Sequence, residues 1–242
     1  MDAIKIENLS KKYSDVVAVK NLNLTVKEGE LFALLGVNGA GKTTTIKVLC
    51  CLTQPSEGNA YLLGKSVIQD YNEVKKIIAV SPQETAIAPM LTAKENLELI
   101  CGAYGLTKSK KEEQINRLTE LLHLEDVINR KAGKLSGGWQ RRLSIAMALI
   151  SEPKILFLDE PTLGLDVIAR SELWDIIREL KGKITIVLTT HYMEEAEALS
   201  DRVAIMAKGK LLACDTVENI KRIAGVDNFE QAFVKIVKEA KK

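Results

Sequence analysis

Long apolar runs are missing from this 242-residue sequence, and none approaches the ~18–20 residues that would span a bilayer. The start, Met1-Asp-Ala-Ile-Lys5, has no secretory pattern, so a chain that stays in the cytosol is expected. An excess of one charge is missing too. Lys and Arg number 34 against 32 Asp and Glu, a formal charge of +2, which argues against a nucleic-acid coat or a strongly basic membrane binder. The lysine clusters at Lys108–Lys111 and Lys238–Lys242 read as solvated helix ends. The cysteines are few, Cys50, Cys51, Cys101 and Cys214, and none shows Cys-x-x-Cys spacing. That indicates neither a zinc site nor a disulfide framework, and the four read as small core hydrophobes in a reducing compartment. No internal repeat or low-complexity tract is visible, and the length suits one large domain or one domain with an insertion.

What is present centres on one stretch. The apolar run Leu31–Leu35 reads as a buried strand and feeds Gly36-Val37-Asn38-Gly39-Ala40-Gly41-Lys42-Thr43-Thr44. A helix-compatible segment ending near Cys51 follows. Gly36-x4-Gly41-Lys42-Thr43 is the spacing of a phosphate-binding loop, in which missing Cβ atoms let consecutive N–H groups turn onto an anion. The following helix adds its positive dipole end, Lys42 a mobile charge and Thr43 a hydroxyl for Mg²⁺.

Residues 3–35 read as an antiparallel β region, with strand-like segments Ala3–Leu9, Val17–Val19 and Leu22–Val26, and with Tyr13 in a polar loop where its ring can stack on a base or be merely half-buried. After a turn at Pro55–Gly58, Ala60–Leu63 and Ile77–Val80 are strand-like. The second of these closes on Gln83, either an exposed loop residue or a ligand to a metal or water. Helical periodicity then takes over in Ala93–Tyr104, Lys110–Leu122, where His123 is placed without a function, and Trp139–Ile150. This block, about residues 85–152, is expected to be an inserted helical subdomain.

Leu135-Ser136-Gly137-Gly138 precedes the last of those helices. Ser136 can cap it, and the two glycines allow close approach, which makes either a second anion site or an ordinary helix cap. Ile155–Leu158 ends in two acids, Asp159 and Glu160, costly there unless a cation or a proton-transfer task holds them. Gly164-Leu-Asp166 turns into a helix over Val167–Leu180, and the strand Ile184–Thr190 ends at His191. Val203–Ala207 and Leu211–Ala213 form a last strand pair, and the tail from Val217 is helical, with Phe229, Phe233 and Ile236 as packing residues. Ligands of an open α/β sheet bind beyond the carboxyl ends of its strands, where Gly36–Thr43, Gln83, Asp159, Glu160 and His191 would meet.

That set specifies phosphoryl chemistry on a nucleoside triphosphate. Lys42 and the loop amides would hold the β- and γ-phosphates. Thr43 would bind Mg²⁺ directly and Asp159 through water. Glu160 would polarise an attacking water, His191 would hold the γ-phosphate or the water, and Gln83 would report the γ-phosphate. No Asn-Lys-x-Asp guanine reader occurs, so ATP is preferred to GTP.

In order and spacing, Gly36–Thr44, Gln83, Leu135–Gly138, Ile155–Glu160, Gly164–Asp166 and His191 resemble the ATP-binding cassette of ABC transporters, over essentially residues 1–215. The resemblance implies a P-loop NTPase core with a mainly parallel sheet, an antiparallel β subdomain and the helical insert. It divides the chain into an ATPase domain over 1–225 and a helical tail over 226–242. It makes Tyr13 the adenine-stacking residue, Ser136, Gly137 and Gly138 a signature loop acting on the ATP of a second copy, and Asp166 part of the loop linking the two sites. It further implies a head-to-tail dimer, expected to be a homodimer, and a separate transmembrane permease that keeps the chain on the inner face of the membrane. Trp139 stands fifth in the signature, where the family usually has Gln, and Gln140 follows. With Arg141-Arg142-Leu143, Leu91–Leu97, Tyr104-Gly-Leu106 and Phe229–Phe233, this resembles the branch serving ABC-2-type exporters. The competing expectation is a soluble ABC-type ATPase of DNA repair or translation. Such relatives typically carry long coiled coils, zinc modules or fused cassettes, and none is seen here.

Overall fold

The computed structural model describes residues 1–240, so Lys241 and Lys242, the end of the second lysine cluster and of the tail, lie outside the described residues. Two long strands, β1 (Asp2–Tyr13) and β2 (Val16–Lys27), are followed by β3 (Leu31–Leu35) and α1 (Lys42–Leu49). Next come β4 (Glu57–Leu62), β5 (Lys65–Ser66), α2 (Tyr71–Ile77) and β6 (Ile78–Ser81). Three helices, α3 (Ala93–Ala103), α4 (Lys108–Leu121) and α5 (Gly137–Leu149), separate β6 from β7 (Ile155–Asp159). Beyond them lie α6 (Val167–Leu180), β8 (Thr185–Thr190), α7 (Met193–Leu199), β9 (Arg202–Ala207), β10 (Lys210–Asp215), α8 (Val217–Ala224) and α9 (Phe229–Glu239).

The strands make two sheets. One is antiparallel in the order β2-β1-β4-β5, and the other runs β10-β9-β3-β8-β7-β6. In the second sheet all pairings are parallel except β9 with β10. A parallel strand covered on both faces needs an unbroken apolar run, and every residue of β3, β7 and β8 is buried. Alternation along β3 divides the core. Leu31, Ala33 and Leu35 pack with the helical insert and the C-terminal helices, while Phe32 and Leu34 pack toward the antiparallel sheet and α1.

Several expectations change. Val17–Val19 and Leu22–Val26 are one strand, because Asn21 takes φ 47° and absorbs a bulge between the pairs Leu9↔Leu22 and Lys11↔Val19. Tyr13 is not in a loop but ends β1, paired with Val16. His123 is not on a helix either. It follows α4 at φ 51°, exposed, in the left-handed turn that ends the helix. Neither β5 nor α2 is foreseen, both being short. The chain after Val217 forms two helices, broken by Gly225 at φ 67°. Phe229 and Phe233 are buried and Ile236 is half-buried against the first core. Cys50 and Cys101 are buried, and all four thiols are free. Burial pushes up the pKa of each, which disfavours the thiolate form.

One buried amide anchors the loop between β6 and α3. Asn96 is fully buried; its Oδ1 accepts from Ala88 N (2.7 Å), and its Nδ2 donates to Ala88 O (3.1 Å) and Thr92 O (2.9 Å). Asn96→Ala strands those backbone groups and is expected to cost about 2–4 kcal/mol. Urea unfolding checks this, and an unchanged midpoint contradicts it.

Candidate active site

Register decides which residues meet. Leu35 pairs with Thr190, Asp159 with Thr189 and Leu158 with Ser81. The residues that follow, Gly36, His191, Glu160 and, one step past Pro82, Gln83, therefore emerge together at the carboxyl edge of the sheet. They open onto a cleft of about 700 Å³. Its walls include Asn38, Gly39, Ala40, Gly41, Lys42, Thr43, Thr44, Gln83, Glu160 and His191. Gly36 and Asp159 are buried and do not line the cleft, and Val37 is half exposed on a second cavity backed by β10 and α9.

The loop depends on its glycines. A Cβ at Gly36 would sit 2.5 Å from Met206 O, and Gly41 holds φ 105° with Ala18 O only 2.6 Å from where its Cβ would be. Neither position accepts a side chain without shifting the loop. Lys42 is buried, donating to Gly36 O at 2.7 Å, with Nζ 3.4 Å from Glu160 Oε1. His191 Nδ1 lies 2.6 Å from Glu160 Oε2. Cation, acid and imidazole thus form one chain of contacts.

Asp159 is tied from behind. Its Oδ1 accepts from Thr189 Oγ1 at 2.5 Å, and the same hydroxyl accepts from Glu160 N at 3.1 Å. Among the described residues no group of three His, Cys, Asp or Glu side chains could hold a metal. A cation here would depend on the Thr43 hydroxyl, the Gln83 amide oxygen, Asp159 and phosphate oxygens. That is the hard, all-oxygen donor set that suits Mg²⁺.

The remaining expected residues do not line this cleft. Tyr13 is 42% exposed beneath Lys11 Nζ, 4.9 Å from its ring centroid, while Val16, Val17 and Ala18 of β2 form the cleft wall beside it. Ser136 occupies the N-cap position of α5 but makes no capping bond with its side chain, so its exposed hydroxyl is not spent there. The expected capping role is corrected: the helix begins at Gly137, not near Trp139. A Cβ on Gly137 would lie 3.5 Å from Leu165 Cδ2, and one on Gly138 3.0 Å from Ala169 Cβ, so this loop abuts the start of α6. Asp166 caps that helix, its Oδ1 accepting from Ile168 N and Ala169 N, both at 2.9 Å. Trp139 is half-buried under the Arg142 guanidinium, 4.6 Å from its ring centroid. Gln140 turns back and donates to Ala132 O and Leu135 O.

Sequence reasoning missed the cation behind Gln83. Arg141 is buried on α5 and donates to Pro82 O (2.6 Å) and Gln83 O (2.5 Å), holding that turn. Burial lowers its pKa, and the charges of Asp159 and Glu195 oppose the shift. The available signal was two arginines inside an otherwise apolar helix, since buried cations need acceptors. Lys208, which also lines the cleft, gave no signal beyond a turn.

The model of the ABC transporter family matches residues 19–163. Human phospholipid-transporting ATPase ABCA3 is 43% identical over 226 residues, 92% of this chain but 13% of that protein. Nod factor export ATP-binding protein I of Burkholderia lata is 41% identical over 212 residues, covering 87% of this chain and 69% of that one. Among solved structures, the dimeric ATP-binding cassette MJ0796 in a post-hydrolysis state, bound to ADP and Pi, superposes with a TM-score of 0.78 at 30% identity. That match covers 88% of this chain and 98% of the other.

Proposed function

The chain belongs to the ABC transporter family as an ATP-binding, ATP-hydrolysing cassette, and from that premise we propose that it drives export through a separate transmembrane subunit. The observation that carries the chemistry is the Lys42–Glu160–His191 chain at the mouth of a glycine loop. The amides of residues 36–44 and Lys42 hold the triphosphate, and Tyr13 takes the base. Glu160 draws a proton from the attacking water, and His191 keeps Glu160 aimed at it. Thr43, Gln83 and Asp159 would hold Mg²⁺, whose charge, when bound, neutralises the phosphate oxygens.

Ser136, Gly137 and Gly138 lie outside the cleft, and the Ser136 hydroxyl is uncommitted. Both facts favour their closing on the ATP of a second copy, with Asp166 between the two sites. Among the described residues no helix is long and apolar enough to cross a membrane. An apolar groove of about 210 Å³, with Val80, Pro82, Ala86, Ile100 and Tyr104 in its walls, offers a seat for a cytoplasmic helix of the permease. Such a seat supports a position on the inner face of the membrane. Likeness to an export ATP-binding protein of which the chain spans 69% favours export over DNA repair or translation.

Ser136→Arg tests the pairing. ATP binding to the monomer is expected to hold, dimers in ATP to disappear on sizing, and turnover to fall by about tenfold or more. Normal ATP-dependent dimers would reject the assignment in trans.

A further inference from the structure

Close to Glu160 and His191 lies an acid with no part in the chemistry above. Glu195, on α7, is fully buried. Its Oε1 accepts from the Trp174 indole at 3.2 Å, reaching across from α6. Its Oε2 has no hydrogen-bond partner, and the Thr162 hydroxyl is also buried without one. A half-satisfied buried carboxyl is a cost that an apolar side chain would avoid, so its presence calls for a task. Burial is the main cause raising its pKa; the Thr190, Thr162 and Trp174 side chains oppose this, and the Glu160 charge adds to it. Burial thus disfavours the charged form of this acid.

The neighbours of the carboxyl belong to three functional segments. Thr162 stands two residues after Glu160, on the way to Asp166. Thr190 immediately precedes His191, and its hydroxyl also accepts from Tyr192 N at 2.9 Å. Trp174 lies on the helix that Asp166 caps. We propose that Glu195 is a positioning residue for ATP hydrolysis, its carboxyl group fixing α7, which follows the His191 turn, against α6, the helix that Asp166 caps. This assignment rests on Glu160 acting in hydrolysis, and Glu160→Gln, measured alongside, tests that premise separately.

The experiment compares phosphate release against ATP concentration for the parent, Glu195→Ala, Glu195→Gln and Trp174→Phe, with a thermal melt of each. Glu195→Ala is expected to lower kcat about 10- to 100-fold while KM for ATP stays within about threefold, because small misplacements of reacting groups have that effect. Glu195→Gln is expected to recover kcat to within about threefold, since its amide keeps the shape of the acid and an oxygen to accept from Trp174. An acid serving only the core would shift the melt and leave kcat alone. Parent-like turnover in Glu195→Ala overturns the proposal, as does an equal loss of kcat in the Gln and Ala variants. Should Glu195→Ala fail to fold, Trp174→Phe decides: a lowered kcat at unchanged KM supports the positioning role, and unchanged kcat overturns it.

Discussion

Glu160→Gln is expected to lower ATP turnover by about 10²–10⁴-fold, the range that a positioned general base contributes. The amide nearly matches the carboxylate in shape, so the short contact to His191, 2.6 Å in the parent, has a partner of similar size. What disappears is the ability to accept a proton from water, together with the charge 3.4 Å from Lys42. Nucleotide binding depends on the loop amides and Lys42 and should persist. Because cleavage is the route out of the ATP-bound pair, dimers should then accumulate in ATP and appear on sizing. Undiminished phosphate release would remove Glu160 from its role.

Lys42→Ala acts on the other half of the site. Charge-assisted hydrogen bonds are worth about 1.5–3 kcal/mol each, so affinity for ATP should fall by about one to two orders of magnitude. The same substitution takes from buried Glu160 the cation nearest to it. Turnover should therefore fall further than affinity alone explains. Calorimetry measures the first effect and saturating-ATP kinetics the second. Unchanged affinity would contradict a lysine poised over the phosphate loop.

Much of the site was legible because its parts are local. A loop from Gly36 to Thr43 needs only glycine, lysine and a hydroxyl at fixed backbone spacing. A strand ending in Asp159 and Glu160 shows as four apolar residues stopped by two acids. Elements with a strong period, such as Val167–Leu180, were placed residue for residue. Failures came where a single residue overrides a pattern. Asn21 in a left-handed conformation joined two apparent strands into one, and Gly137 began a helix that the apolar period placed two residues later.

By itself, the sequence determined which chemical groups stand where along the chain: a glycine loop followed by a lysine, acids at a strand end, an imidazole at another, and a second glycine loop. Each is a matter of side-chain type at short covalent spacing, which the backbone converts directly into geometry. The tertiary structure alone decided how these parts relate. Parallel register brought Gly36, Gln83, Glu160 and His191 to one edge. Folding also laid the Arg141 guanidinium on carbonyls 58 and 59 residues away, left the Ser136 hydroxyl uncommitted, and buried Glu195 against Trp174, 21 residues away. Contacts over such separations follow from packing two sheets and an inserted helical block, not from any local pattern, because burial selects partners only after the elements are in place.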